Sequence, residues 1–282
     1  MPERKILNEQ LISSVVEIAK EAGEAIIEVY NSDFDYQLKK DLSPITAADN
    51  LAHDIITKKL KILTPKIPIL SEENCDIPYK IRSQWTQYWL VDPLDGTKEF
   101  INRNGEFTVN IALIDNNTPT LGIINVPINN ETYWGSKVNG SFYSSENGDV
   151  KQIQVSENYH DRIRIVASRS HPSEMLTSFL EKIVDYEILK VGSSIKFCLI
   201  ASGQADCYPR FGPTSEWDTA AGEAIVKYAG GSVITTKGKL MAYNLKEGFL
   251  NPNFLVSCSC GKIASESFLQ STVFEANDIG EH

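Results

Sequence analysis

Residues 89–100 run Trp-Leu-Val-Asp-Pro-Leu-Asp-Gly-Thr-Lys-Glu-Phe, an apolar strand that ends in acid, proline, glycine and hydroxyl. In an unbroken strand, Asp92 and Asp95 point to opposite faces, because side chains alternate with period two. Pro93 fixes its own φ and withholds an N–H, so simple continuation of the strand is disfavoured. Gly96 permits backbone shapes that other residues resist. A bend here brings both carboxylates to one side of a sheet edge, with the Leu94 carbonyl between them. Thr97 then starts a short helix whose free N–H groups face the same spot, which suits an anion. An isolated DPLDG is equally a surface turn with solvated acids, since Asp, Pro and Gly are turn formers. An EF-hand is excluded, because acids at alternate loop positions and the closing Glu are absent.

Two further acids shift that balance. Glu72 ends the short apolar run Ile69-Leu70-Ser71, repeating the strand-then-carboxylate arrangement, and Asp218 opens a helix in Trp217-Asp-Thr-Ala-Ala-Gly222. Each alone has a dull explanation: Glu72 and Glu73 as solvated loop acids, Asp218 as a helix cap. Together, acids at element ends with no basic cluster beside them suggest a hard-cation site. Magnesium takes its ligands from carboxylates, carbonyls, water and substrate phosphate. Zinc has no support, with four histidines in no HxxxH spacing. The five cysteines form no CxxC pair, and Cys258-Ser-Cys260 reads as small core residues after a strand.

Outward from the opening stretch, Leu11, Val15, Ile18, Ala22, Ile26 and Val29 trace one helical face. A polar break follows from Asn31 to Ser43, with Lys39 and Lys40. Pro44 and the capping-box pattern Thr46-Ala-Ala-Asp49 announce a second helix, striped by Ala52, Ile56, Leu60 and Leu63. Ile67–Leu70 is a short strand. Phe107, Val109, Ile111 and Leu113 alternate on one face of the next strand, and Leu121–Val126 and Glu131–Trp134 continue an antiparallel meander. The Gly- and Ser-rich stretch Gly135–Gly148 is the expected weak point between lobes. Beyond it strands and helices alternate: strand Ile163–Ala167, helix from Pro172, strand Tyr186–Val191, helix from Ser194, strand Asp206–Tyr208 and helix Trp217–Tyr228. The expectation is an α/β chain with an α+β lobe over residues 1–150, carrying most of the acids, and an α/β lobe over 151–282. The last residues read as a loose tail.

A chain of 282 residues, 42% hydrophobic and 23% charged, can bury a substantial core. No apolar run approaches the roughly 20 residues that span a bilayer. The N-terminus lacks the apolar core of a signal peptide, which argues for an intracellular protein. With 27 basic against 37 acidic residues and a formal charge of -10, the chain lacks the electrostatic footprint that a nucleic-acid polymer requires. An anionic small-molecule partner would need a bound divalent cation to offset repulsion.

The set SEE, DPLDGT and WDTAAG, in this order and spacing, resembles the inositol monophosphatase superfamily of magnesium-dependent phosphatases. Within it, WLVDPLDGTKEFINRNGEFTVNIALI, GSSIKFC and YPRFGPT are similar to the bacterial 3'(2'),5'-bisphosphate nucleotidases, over about Lys39 to Asn253. One departure is Glu223, where close relatives carry histidine at a position that is not a ligand. The resemblance implies a layered αβαβα sandwich of the inositol monophosphatase and fructose-1,6-bisphosphatase type. It implies that Glu72, Asp92, the Leu94 carbonyl, Asp95 and Asp218 hold two or three magnesium ions (Mg2+). It makes Asp49, Glu72 and Thr97 the catalytic set, Asp49 and Thr97 orienting the attacking water. The substrate meets Glu72, Leu94, Asp95, Gly96, Thr97 and Asp218, with nucleotide contacts at His171, Ser193, Lys196 and Arg210. From the residues alone, Asp49 is equally a capping-box member, Ser193 and Ser194 are helix caps, and His171, Lys196 and Arg210 are surface groups.

The implied reaction removes the 3'-phosphate of adenosine 3',5'-bisphosphate, the by-product of sulfate activation, giving AMP and phosphate. The same resemblance implies inhibition by lithium and, at high concentration, calcium. It implies a cytoplasmic protein, or one held peripherally on the inner face of the inner membrane, and leaves monomer and homodimer both open. Two rival readings are an inositol or sugar phosphatase of the same superfamily and a non-catalytic nucleotide and metal sensor. Intact acids, together with Asp49 and Thr97, speak against the sensor.

Overall fold

The computed structural model describes residues 7–38, 44–157, 162–169 and 174–258. Helix α1 (Glu9–Tyr30) buries Leu11, Val15, Ile18, Ala22 and Ile26, the stripe its sequence spacing predicts. Asn8 caps it by accepting the Leu11 N–H at 2.8 Å. A short antiparallel pair, β1 (Tyr36–Leu38) and β2 (Pro44–Thr46), leads into α2 (Ala47–Leu63). The expected capping box of Thr46 and Asp49 is present at its start. Lys39 and Lys40 fall outside the described residues.

The first sheet has seven strands in sequence order: β3 (Ile69–Ser71), β4 (Gln87–Asp95), β5 (Thr108–Asp115), β6 (Thr118–Val126), β7 (Glu131–Ser136), β8 (Gly140–Ser144) and β9 (Val150–Ile153). β3 runs parallel to β4, and every later neighbour is antiparallel. Short helices α3 (Tyr79–Arg82) and α4 (Thr97–Ile101) flank β4. The second sheet interleaves with helices: β10 (Ile163–Ser168), α5 (Glu174–Leu180), β11 (Tyr186–Val191), α6 (Ile195–Ala201), β12 (Cys207–Arg210), α7 (Glu216–Tyr228), β13 (Ser232–Thr235) and β14 (Phe254–Ser257). Its spatial order is β11-β10-β12-β14-β13, parallel around β10 and antiparallel around β14.

Alternation along β4 and β5 decides the layering. Trp89, Val91, Val109, Ile111 and Leu113 face α1 and α2 in one apolar cluster. Tyr88, Leu90, Ala112 and Ile114 face the other way, into a cluster with Phe197 of α6, Ala220, Ala221 and Ile225 of α7, and Tyr208 and Phe254 of the second sheet. The far face of that sheet sends Ile165, Cys207 and Leu255 against Phe179 of α5. The layers are therefore helix, sheet, helix, sheet, helix, the αβαβα sandwich expected. The middle layer shares one core with both sheets. Among the described residues no helix is long and apolar enough to cross a membrane.

Two expectations change. Gly135–Gly148 is no weak point: it supplies the end of β7 and all of β8 in a continuous sheet. Its small residues serve packing, since a Cβ on Gly135 would stand 2.6 Å from Ile225 Cα and Ser141 Oγ donates to the Ile225 carbonyl at 2.7 Å. The change of sheet falls between Ile153 and Ile163, so a boundary at residue 150 would cut β9. Nor does Pro93 end its strand, because β4 absorbs it in a bulge between Asp92 and Asp95. Cys258 is buried with the core, and Cys260 lies outside the described residues.

Candidate functional site

The bulge explains how two acids three residues apart come to one face. Asp92 pairs with Asn110 and Asp95 with Thr108, so β4 places Pro93 and Leu94 opposite Val109 alone. The extra residue restores parity, and both carboxylates join Asn110 and Thr108 on the face toward α6 and α7. Asp92 is 1% exposed, and its Oδ1 accepts the Leu94 N–H at 3.1 Å. Glu72 follows β3, its N–H donating to the Val91 carbonyl at 3.0 Å and so prolonging the parallel ladder. Asp218 arrives from the middle helical layer as the third residue of α7, where its Oδ2 accepts the Ser215 N–H at 2.9 Å. Here the cap and the site are the same residue.

Electrostatics place the four acids in one field. Burial first, then the charges of Glu72, Asp95 and Asp218, push the Asp92 carboxyl well above its ordinary range, and Glu72 hydrogen-bonds it. Two carboxylates can do so only if one carries a proton. Asp218 is raised likewise, by burial and then by Asp95 and Glu72, against the opposing Ser215 N–H and Arg210. Among the described residues no three acid, histidine or cysteine side chains already close into a metal cage. The donor set is oxygen throughout, which fits magnesium rather than zinc.

Asp95 is anchored from across the cleft by two serines. Its Oδ2 lies 2.6 Å from Ser194 Oγ, 2.7 Å from the Ser194 N–H and 2.9 Å from Ser193 Oγ. Ser194 Oγ also stands 2.8 Å from the Asp218 carbonyl and accepts from Asn110 Nδ2 at 2.9 Å, linking β4, β5, α6 and α7 at one hydroxyl. The reading of these serines as simple caps is thus corrected: Ser194 sits at the N-cap position of α6 without a side-chain cap bond. Ser193 takes φ 53° and rests on Thr108 Oγ1 at 2.7 Å. Thr108 and Asn110 were not singled out from the sequence. Their signal was available, as two polar residues in period-two register within an otherwise apolar strand.

Asp49 resolves its own ambiguity by using both oxygens. Oδ2 accepts from the Thr46 N–H and Oγ1, each at 2.7 Å, which is the cap; Oδ1 accepts from Thr97 Oγ1 at 3.2 Å. Thr97 Oγ1 also lies 3.3 Å from the Leu94 carbonyl. Gly96, the N-cap of α4, has φ 95°, and a Cβ there would stand 2.9 Å from the Glu106 carbonyl. The turn therefore needs glycine.

Beside the acids a cavity of about 100 Å³ is lined by Asp95, Gly96, Ser193, Lys196, Arg210 and Asp218, among others. Lys196 is 5% exposed, over the Tyr208 ring at 5.4 Å, and burial lowers its ammonium to about 8 against the pull of Asp95. Arg210 donates Nη2 to the Pro213 carbonyl at 2.7 Å, while its buried Nε has no partner among the described residues. Lys196 is therefore no solvated surface cation, whereas Arg210 is half-buried. His171 lies outside the described residues.

Comparison with known proteins gives a consistent picture. The model of the inositol monophosphatase family matches residues 7–275. The chain is 48% identical over 249 residues to the 3'(2'),5'-bisphosphate nucleotidase CysQ of Salmonella typhimurium, covering 88% of this chain and 99% of that one. It is 48% identical over 250 residues to the same-named protein of Escherichia coli K12, with the same coverage. Among solved structures, CysQ from Bacteroides thetaiotaomicron, a bacterial member of the inositol monophosphatase family, superposes with TM-score 0.80 at 38% identity, covering 90% of this chain and 99% of that one. The extragenic suppressor protein suhB from Bartonella henselae, at 23% identity and TM-score 0.75 over 94% of this chain and 98% of that one, shares the fold.

Proposed function

We propose that this chain, which belongs to the inositol monophosphatase family, hydrolyses the 3'-phosphate of adenosine 3',5'-bisphosphate to AMP and inorganic phosphate. It is a phosphatase, a 3'(2'),5'-bisphosphate nucleotidase like its relatives at 48% identity, and it serves sulfur assimilation by removing the by-product of sulfate activation. The observation that carries the reading is the single field of acids from β3, β4 and α7, beside Lys196 and an Arg210 Nε that has no partner among the described residues. We place the activity in the cytoplasm, on a small nucleotide.

We assign Glu72, Asp92, the Leu94 carbonyl, Asp95 and Asp218 to magnesium, two or three ions per site. When bound, the metal supplies charge neutralisation and a more acidic water. The chain's own residues do the rest. Asp49 Oδ1 holds the Thr97 hydroxyl proton, which turns a lone pair of Oγ1 outward to accept a hydrogen bond from the attacking water. Asp95 is fixed through Oδ2 by the two serines. Water oxygen bonds to phosphorus as the bond to the 3'-oxygen breaks; one proton of the water stays on the released phosphate and the other ends on the 3'-oxygen, which leaves as the nucleoside hydroxyl. Lys196 and Arg210 offer positive charge to the phosphate that stays, a use a plain sugar monophosphate lacks.

Phosphate release from adenosine 3',5'-bisphosphate, inositol 1-phosphate and fructose 1,6-bisphosphate, with and without magnesium, tests this. The bisphosphate nucleotide is expected to lead by about a hundredfold in kcat/KM, and only with metal. Faster release from inositol 1-phosphate would overturn the assignment.

A further inference from the structure

One carboxylate outside the acid cluster joins three segments that the reaction above leaves unconnected. Glu106 lies in the turn before β5. Its Oε2 accepts the Gly192 N–H at 2.7 Å and the Arg169 Nε–H at 3.0 Å, and its Oε1 accepts from Arg169 Nη2 at 2.5 Å. Arg169 Nη2 also donates to the Lys190 carbonyl at 2.9 Å. Arg169 follows β10 and Gly192 follows β11, so one side chain from the first sheet grips the ends of two strands of the second. The fit is close. A Cβ on Gly192 would stand 2.9 Å from Glu99 Cγ and 3.1 Å from Glu106 Oε2, so glycine there lets the carboxylate seat.

The grip leads to Lys196. The buried ammonium donates to the Ser193 carbonyl at 2.5 Å and to the Val191 carbonyl at 3.4 Å, the two carbonyls that flank Gly192. The inner half of this turn is held separately, by Ser193 Oγ and Ser194 on Asp95. Its outer half has Glu106. Burial alone would raise that carboxyl, but the Arg169 guanidinium and the Gly192 N–H outweigh it and keep it below the ordinary range, hence charged.

We propose that Glu106 is a positioning residue for substrate selection: through Gly192 and Arg169 it fixes the carbonyl seat of Lys196, and with it the wall that receives the part of the substrate remote from the scissile phosphate. The proposal rests on the nucleotidase reading for its substrate. In the full chain, Glu106→Ala raises KM for adenosine 3',5'-bisphosphate about tenfold while kcat stays within about threefold. The inhibition constant of inorganic phosphate measured with magnesium, where it competes as the released product, stays within about twofold. Glu106→Gln, which keeps an acceptor oxygen for the Gly192 N–H, falls between wild type and Ala. Equal weakening of nucleotide and inorganic phosphate, or an unchanged KM in the Ala variant, would overturn the proposal.

Amide exchange across 190–196 separates this outcome from failure of the substrate assignment. Exchange about tenfold faster there in Glu106→Ala supports the seat even where the wild type prefers another phosphate ester. Unchanged exchange overturns it even where the bisphosphate is the substrate.

Discussion

The first sheet aims its acids by local chain geometry, whereas the second sheet aims its cations by contacts between distant segments. On the first side, a bulge of one extra residue turns Asp92 and Asp95 to a common face, and Glu72 merely continues a strand. On the second, Lys196 depends on two carbonyls, these on a turn, and the turn on a carboxylate from the opposite sheet. Asp218 belongs to both sides, since a local capping box orients it and the fold delivers it. The difference teaches that charge which must be concentrated is built from short motifs. The buried cation Lys196 is placed by tertiary structure instead.

That contrast orders the mutational effects. Asp92→Asn, which keeps shape and removes a buried charge, should lower turnover by about a thousandfold. Without metal it should raise the melting temperature at neutral pH, because burial and three acidic neighbours oppose its ionised form. A lower melting temperature would break the idea that this wall stores repulsion. Thr97→Ala should reduce kcat about a hundredfold while leaving the magnesium concentration for half-maximal rate nearly unchanged; parallel loss of both would make Thr97 part of the metal cage instead.

Lys196→Met sharpens the other side, with KM for the bisphosphate up about tenfold and kcat little changed. Since burial lowers this ammonium to about 8, wild-type KM should climb as pH rises past that value, and the Met variant should lose the climb.

Glu223, further along α7, is the control that belongs to neither wall. Burial pushes its carboxyl up to about 7 from 4.5, against a hydrogen bond from Tyr243 Oη at 2.5 Å. An acid raised on folding costs nothing below its unfolded value and costs most above its folded one. Glu223→Gln should therefore stabilise the protein by about 2 kcal/mol above pH 7, a gain that fades toward pH 4.5 in denaturant titrations. Activity is expected to stay near wild type.

Legibility in the sequence follows the same division. The DPLDGT and WDTAAG acids, the Thr46–Asp49 box and the apolar stripes of α1 and α2 were plain, because each is set within a few residues. The bulge was half visible: Pro93 announced irregularity, but only the pairing with Asn110 and Thr108 shows that the strand survives it. Whether Asp49 caps or reaches Thr97 could not be decided from one-dimensional spacing, since two oxygens of one carboxylate do both. The Glu106–Arg169–Gly192 contact was invisible for a physical reason. Its members are 63 and 86 residues from Glu106 in the chain and carry no periodic pattern.

The most direct measurement is calorimetric titration of magnesium into wild type, Asp92→Asn and Asp218→Asn, with no substrate present. If acids from β4 and α7 hold one metal centre, each variant binds at least about tenfold more weakly, although the two residues sit on different layers of the sandwich. Wild-type affinity in Asp218→Asn would mean that α7 contributes no ligand, and would contradict the account.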